Sequence, residues 1–104
     1  SFEVENLVAS YPDIEEAAAV AVKVAEQGRY SEDEVMVVVI MKKDKKLDPA
    51  ELVRYLVPIM PKFMIPRFVK FRDMLPKTPT NRVQKNKLRD EGITKDTWDS
   101  LNSD

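Results

Sequence analysis

The stretch Leu75-Pro76-Lys77-Thr78-Pro79-Thr80-Asn81-Arg82-Val83-Gln84-Lys85 decides how this chain is read. Pro76 closes whatever precedes it. Pro79 forces Thr78 out of helical backbone, so Lys77 to Asn81 is predicted as an extended, stiffened loop. A short basic helix is predicted from Val83 to Glu91, ended by Gly92. The segment therefore joins a strand to a helix through a loop carrying Thr78, Thr80, Asn81 and Arg82. Two physical readings stand side by side. A helix start with nearby Arg82, Lys85, Lys87 and Arg89 is a common anion site. Alternatively, Asn81 or Thr80 caps the helix, with Gln84 completing a capping box from Asn81.

Upstream of that stretch, Pro66 to Met74 reads as a strand with Phe68, Val69 and Phe71 directed at a core. Before it, Asp48-Pro49-Ala50-Glu51 has the signature of a helix start, with Asp as cap, Pro at the first helical position and Glu reaching back. Leu52, Leu56 and Ile59 form the buried stripe of that helix, and Pro61 stops it. Val35 to Met41 is the longest apolar run, the length of a buried strand and far short of the ~20 residues of a membrane helix. A second strand is predicted from about Ala17 to Val24, where small and β-branched residues alternate, and the two are expected to pair antiparallel. Gln27 to Ser31 is a turn or loop, and Lys42 to Lys46 a charged tip. Residues 1–11 carry an apolar stripe at Val4, Leu7, Val8 and Tyr11 and read as a helix, with Ser1 placed to cap it. Downstream, Thr94 to Leu101 is expected to add a helical turn or two with Trp98 and Leu101 facing inward. Residues 102–104 are expected to fray. The order is αββαβα, an α+β fold with a small three-stranded sheet and helices packed on it.

At 104 residues, with 43% hydrophobic and 34% charged, the chain suits one globular domain rather than a disordered segment. It has no cysteine and no histidine, which excludes disulfides, most zinc sites and the two commonest nucleophile–base partners. The charge is unevenly spread. Residues 1–61 hold 7 basic and 12 acidic side chains, residues 62–89 hold 9 and 1, and residues 90–104 hold 1 and 5. So basic a middle segment suggests an anionic partner. The alternatives are a solvated basic face, a small nucleic-acid-binding domain using residues 62–89, or a structural interaction domain. Against nucleic acid, the segment has few aromatics to stack bases beyond Phe63, Phe68 and Phe71, which the strand pattern wants in the core.

The segment 75–85 resembles the last core motif of the adenylate-forming superfamily, which includes acyl-CoA synthetases, luciferases and peptide-synthetase adenylation domains. Its pattern is Leu-Pro-Lys-Thr, two residues, Gly-Lys, an aliphatic residue and then basic residues opening a helix. Other segments match in the same order. Ser1 to Glu5 with Tyr11-Pro12 is similar to the stretch following the family's interdomain hinge, Glu16 to Val20 to its V-x-E-A-A-V strand, and Gly28 to Val39 to its next strand. Lys62 to Arg67 resembles its Y-K-x-P lead into a strand. The resemblance covers residues 1–91. Thr78 to Lys85 and the tail Leu88 to Thr94 resemble the crotonobetaine/carnitine-CoA ligase-like branch.

The resemblance implies a single C-terminal subdomain of a larger AMP-forming ligase, residues 1–104, whose large N-terminal domain and hinge lie outside this chain. Such an enzyme, expected to be cytoplasmic, joins a carboxylic acid to ATP as an acyl-adenylate and then transfers it to CoA. ATP, Mg2+ and CoA are its expected cofactors and substrates, none bound by this fragment alone, and no metal site is expected here. The catalytic lysine of the motif falls at Arg82. Thr78, Thr80 and Asn81 form the substrate and ATP loop, and Lys62 and Arg67 are possible CoA contacts. Lys77 and Arg89 read as surface charges, Trp98 as packing, and Met60, Met64 and Met74 as core or interdomain filler. Two positions depart from the motif. Asn81 stands where glycine is usual, and Asn tolerates left-handed backbone better than most. Arg82 keeps the charge but is longer, planar and forked. The full-length enzyme is therefore expected to run its first half-reaction below the rate of a Lys version. Loss of one preorganised contact typically costs about 10²–10³-fold, and because Arg82 keeps the charge, Arg82→Lys should speed pyrophosphate release by less than that, measured by ATP–pyrophosphate exchange.

Overall fold

A computed structural model describes residues 2–26, 29–30 and 33–102. Helix α1 spans Phe2–Ala9, and strand β1 spans Ile14–Val22. A small hairpin follows, β2 at Ala25–Glu26 against β3 at Arg29–Tyr30. Then come β4 at Glu34–Met41, α2 at Pro49–Leu56, a 3₁₀ turn at Lys62–Met64, β5 at Phe68–Phe71, α3 at Lys85–Glu91 and β6 at Trp98–Asp99. The predicted α+β class holds, and the order αββαβα is kept with three short strands, β2, β3 and β6, added. The expected caps and turn at Ser1, Gln27, Gly28 and Ser31 lie outside the described residues, as do Ser103 and Asp104.

The main sheet has four strands in the order β1-β4-β5-β6, not three. β1 and β4 pair antiparallel as expected, from Ile14 opposite Met41 to Val22 opposite Glu34, with a register shift between Ile14 and Glu16. β1 begins at Ile14 rather than Ala17, because pairing with β4 overrides the helix propensity of Glu15 to Ala19. β4 and β5 run parallel, with α2 in the crossover. The added strand is β6. Trp98 pairs with Val69 and Asp99 with Phe68, so the expected terminal helical turn is an edge strand. Trp98 packs against the core, but Leu101 is exposed rather than inward. Asn102, expected to fray, hydrogen-bonds Asp99 through backbone (3.1 Å) and side chain (3.0 Å).

The apolar run at β4 makes physical sense in this setting. Met36 through Ile40 are all buried. Val37 and Val39 face one core layer, with Val4 and Val8 of α1, Leu52 and Leu56 of α2, Met60 and Val69. Met36, Val38 and Ile40 face the other, with Ala18, Val20, Phe68, Leu75 and Leu88. A strand covered on both faces reads as a continuous hydrophobic run. α2 starts as predicted: Asp48 caps it by accepting from Ala50 N at 2.9 Å, with Pro49 at the first position. Its stripe continues to Met60, while Ile59 is exposed, because the chain turns after Leu56. β5 is shorter than the predicted 66–74, Phe71 is only half-buried, and Phe63, expected inside, is exposed because it lies on the 3₁₀ turn rather than in the strand.

Lys70 is the one buried charged residue of the described core. From β5 it reaches the end of α3, where its ammonium donates to Glu91 Oε1 (2.9 Å) and to the Gly92 carbonyl. A cation there also meets the negative end of the helix. Arg72 extends the clasp to Asp96 (2.8 Å) and Glu91 (3.3 Å), and Arg67 holds Asp99 (3.1 Å) and Glu34 (3.2 Å). Three carboxylates titrate below their ordinary values in consequence. Glu91 is lowered chiefly by its hydrogen bond to Lys70, and Asp96 by its bonds from Thr94 and then Arg72. Burial alone would raise Asp99, but hydrogen bonds from Arg67 and the Leu101 backbone more than offset it.

A group with a depressed folded pKa contributes stability that is complete above its unfolded pKa and is lost as pH falls through the folded one. With unfolded values of about 4, the urea midpoint should stay level from pH 7 to 5 and drop steeply below about pH 4. Glu91→Gln should cost about 1.5 kcal/mol at pH 7, the low end for a charge-assisted hydrogen bond because Glu91 is half exposed. It should also flatten the acid limb of the curve.

Candidate functional site

The loop expected to run extended from Lys77 to Asn81 is instead a tight hairpin, because backbone bonds across it close a turn. Lys77 and Val83 form an antiparallel bridge. Gln84 N donates to the Pro76 carbonyl and Thr78 N to the Arg82 carbonyl, both at 2.8 Å. Inside this frame Asn81 N donates to the Thr78 carbonyl (2.9 Å), closing a turn over Pro79 and Thr80. Asn81 has φ 68°. A β-turn followed by one left-handed residue is a standard three-residue hairpin loop, and the left-handed place is where glycine is normally favoured. Asn keeps that geometry here. Thr78 Oγ1 accepts from Arg82 N (3.1 Å) and shares a hydrogen bond with Thr80 Oγ1 (3.0 Å). The two hydroxyls thus serve the shape of the loop.

The backbone order also settles the capping question. α3 begins at Lys85, and its N-cap is Gln84, which makes no side-chain capping bond. Neither Thr80 nor Asn81 caps the helix, because both are used in the turn. The helix start lies beyond Val83 and Gln84, so the loop tip is a separate element.

Arg82 sits at that tip, exposed, with its guanidinium in no ion pair among the described residues. Its neighbours differ. Lys77 Nζ is 2.8 Å from Glu16 Oε2, and Lys85 Nζ is 2.6 Å from Glu5 Oε2. Glu5 Oε2 also accepts from Ala19 N at 2.7 Å. Lys77, expected as an ordinary surface charge, is therefore tied to β1. Arg89 is exposed and lines an apolar groove with Val4, Val35 and Phe63.

Lys62 and Arg67 are brought together at a second place. Both line one shallow depression with Glu34, Ile65, Pro66 and Ser100. Lys62 is exposed on the 3₁₀ turn, whereas the Arg67 side chain is 10% exposed and committed to Glu34 and Asp99. Its guanidinium also stacks 4.8 Å from the Phe68 ring centroid. The methionines divide: Met60 is core, Met64 packs against the core, and Met74 is exposed.

The charge segregation read from the sequence has a different cause from the one expected. Of the nine cations in residues 62–89, Arg67, Lys70, Arg72, Lys77 and Lys85 are paired, each to carboxylates from the acidic flanks. Lys62, Arg82, Lys87 and Arg89 have no ion pair among the described residues. Most of the basic surplus is neutralised within the fold, which removes the main reason for a polyanionic partner. Sequence inspection does not show what Glu5, Glu16 or Lys70 pair with, since their partners lie on remote elements.

Residues 3–82 match the family described as the AMP-binding enzyme C-terminal domain. The chain belongs to that family, and its fold is the C-terminal subdomain found in the adenylate-forming acyl-CoA synthetases. It is 40% identical over 92 residues to a 2-methylpropanoate–CoA ligase of Humulus lupulus, covering 86% of this chain and 16% of that protein. It is 32% identical over 102 residues to a peroxisomal trans-cinnamate:CoA ligase of Petunia hybrida, covering 98% of this chain and 17% of that one. The crystal structure of apo MatB from Rhodopseudomonas palustris superimposes with a TM-score of 0.77 at 31% identity, over 86% of this chain and 17% of that one. The chain thus spans about a sixth of the length of the curated relatives it matches. The nucleic-acid reading of residues 62–89 draws no support from them. No helix among the described residues is long and apolar enough to cross a membrane.

The left-handed position gives a direct check on the loop. Left-handed backbone costs a side-chain-bearing residue roughly 1–2 kcal/mol, least for Asn. Asn81→Gly should leave stability unchanged or slightly higher, while Asn81→Val should lower it by about 1–2 kcal/mol, read from urea unfolding.

Proposed function

We propose that this domain is the mobile C-terminal lid of an AMP-forming acid–CoA ligase. The observation that carries the reading is Arg82: a cation in no ion pair among the described residues, on a stiffened hairpin, in a domain of this family. The relatives are named for different acids, 2-methylpropanoate and trans-cinnamate. What they share is the ligation to CoA, so the substrate is assigned here only as a carboxylic acid.

The reaction has two steps. A carboxylate attacks the α-phosphorus of ATP, giving an acyl-adenylate and pyrophosphate. The CoA thiol then displaces AMP and forms the thioester. In the first step two anions approach each other, and a fixed cation at that place lowers the barrier electrostatically. Arg82 supplies it when the lid closes on the large N-terminal domain of the same chain. Thr78, Thr80 and Asn81 hold the loop shape that presents it. In the second step the lid rotates, and Lys62, with Arg67 behind it, faces the CoA phosphates. Arg67 is held by Glu34 and Asp99, so Lys62 is the freer of the two charges. Among the described residues no three or more His, Cys, Asp or Glu side chains converge on a metal position. The Mg2+ that accompanies ATP is assigned to the nucleotide side, on the large domain. The enzyme is assigned to the cytoplasm.

The test uses the full-length protein and separates the half-reactions. Arg82→Ala should lower ATP–pyrophosphate exchange about 10²–10³-fold and spare thioester formation from added acyl-adenylate and CoA. Lys62→Ala should do the reverse, raising KM for CoA. The 104 residues alone should form no acyl-CoA. Exchange unaffected by Arg82→Ala would defeat the assignment.

A further inference from the structure

Val83 beside Arg82 packs against the core, but residues 78–82 make no hydrogen bond or ion pair to the rest of the domain among the described residues. Their hydrogen bonds stay inside the hairpin. Its direction therefore depends on its two feet. Leu75 and Leu88 anchor the flanks in the core layer that also holds Ala18 and Val20. Apolar contacts of this kind fix depth, and they are tolerant of rotation and sliding. Between those anchors and the tip, each foot carries one lysine, and each lysine ends on a glutamate from the N-terminal part of the chain.

The first foot is Lys77, on the strand-like arm, held by Glu16 of β1 at 2.8 Å. The second is Lys85, the first residue of α3, held by Glu5 of α1 at 2.6 Å. Neither pair is fully solvated: side-chain exposure is 27% and 34% for the first, 36% and 17% for the second. Partial burial limits screening by salt, so the attraction keeps direction and strength. Glu5 is itself fixed, because the oxygen that meets Lys85 also accepts from Ala19 N on β1. Both tethers therefore end on β1, one directly and one through Glu5. The register shift between Ile14 and Glu16 sits where β1 presents the first of them.

We infer that Glu16 and Glu5 are positioning residues for the Arg82 loop: through Lys77 and Lys85 they set the direction in which the free cation is presented. The inference rests on the proposed role of Arg82. It also joins three separate stretches of sequence, 1–5, 16–20 and 75–85, each singled out by motif. The acidic residue at the end of the first and at the start of the second hold the lysines of the third. A purely structural role for the same pairs would lower stability and both half-reactions together. A positioning role lowers only the step that uses Arg82.

The experiment uses the full-length enzyme. Glu16→Gln and Glu5→Gln are both mild, and the amide at position 5 keeps an acceptor for Ala19 N. A displacement of about 1 Å can cost on the order of 10²-fold, and a foot that is loosened rather than removed should cost less. Each variant should lower kcat for ATP–pyrophosphate exchange about tenfold, with KM for ATP and the CoA-dependent half-reaction unchanged. Exchanging the charges, Glu16→Lys with Lys77→Glu, should recover most of the loss of Lys77→Glu alone. Unchanged exchange in both single variants, equal loss in both half-reactions, or no recovery in the exchanged pair would overturn the inference. If Arg82→Ala impairs exchange and the glutamate variants do not, this inference alone fails. If Arg82→Ala has no effect, the ligase reading fails with it.

Discussion

β4 is covered on both faces, and the rest of the domain is arranged to keep it so. Five consecutive residues, Met36 to Ile40, are buried, with alternate side chains in opposite core layers. Burial of apolar side chains at this density is the main favourable contribution to folding. One layer is supplied by α1 and α2. The other is closed by α3 together with Leu75, the residues on either side of the Arg82 hairpin. The Arg82 hairpin is thus the connection that the second layer requires. Its height above the sheet follows from the packing of Leu75 and Leu88, and its shape from Pro79 and the left-handed Asn81.

Charge is the second organising influence, acting between elements rather than within them. Strands carrying an acidic majority precede a basic middle, and an acidic tail closes the chain. Folding interleaves the three. Lys70 is the sharpest case: a fully buried ammonium is tolerable only with its partners in place, here Glu91 and the end of α3. The same logic keeps the C-terminal residues on the sheet, where Arg67 grips Asp99 of β6 in two bonds. Among the described residues, four cations of the segment 62–89 are in no ion pair, and Arg82 is the one carried on a shaped loop.

Much of this was legible in the sequence. The α2 start, the doubly buried β4, the stiff loop and the position of Arg82 follow from local rules, because caps, prolines and apolar runs act over a few residues. The short β6 escaped them. Two residues carry no periodicity, and Trp98 becomes a strand only by pairing with Val69. The capping reading failed for a related reason. Asn81 suits a helix cap and a left-handed turn equally well, and the choice was made by the Lys77–Val83 bridge, a contact across the loop.

What the sequence determined by itself is the inventory and its order: the elements, the motif, and a residue at position 81 able to turn left-handed. It also set the signs of the charges. What only the tertiary structure decided is which charge meets which. Lys77 and Lys85 look like Lys62 and Lys87 in sequence, all solvated cations of one basic segment. Two of them become tethers because β1 and α1 bring Glu16 and Glu5 beside the feet of the loop. An ion pair depends on a separation of a few ångströms between elements far apart in the chain, and no local pattern encodes that distance.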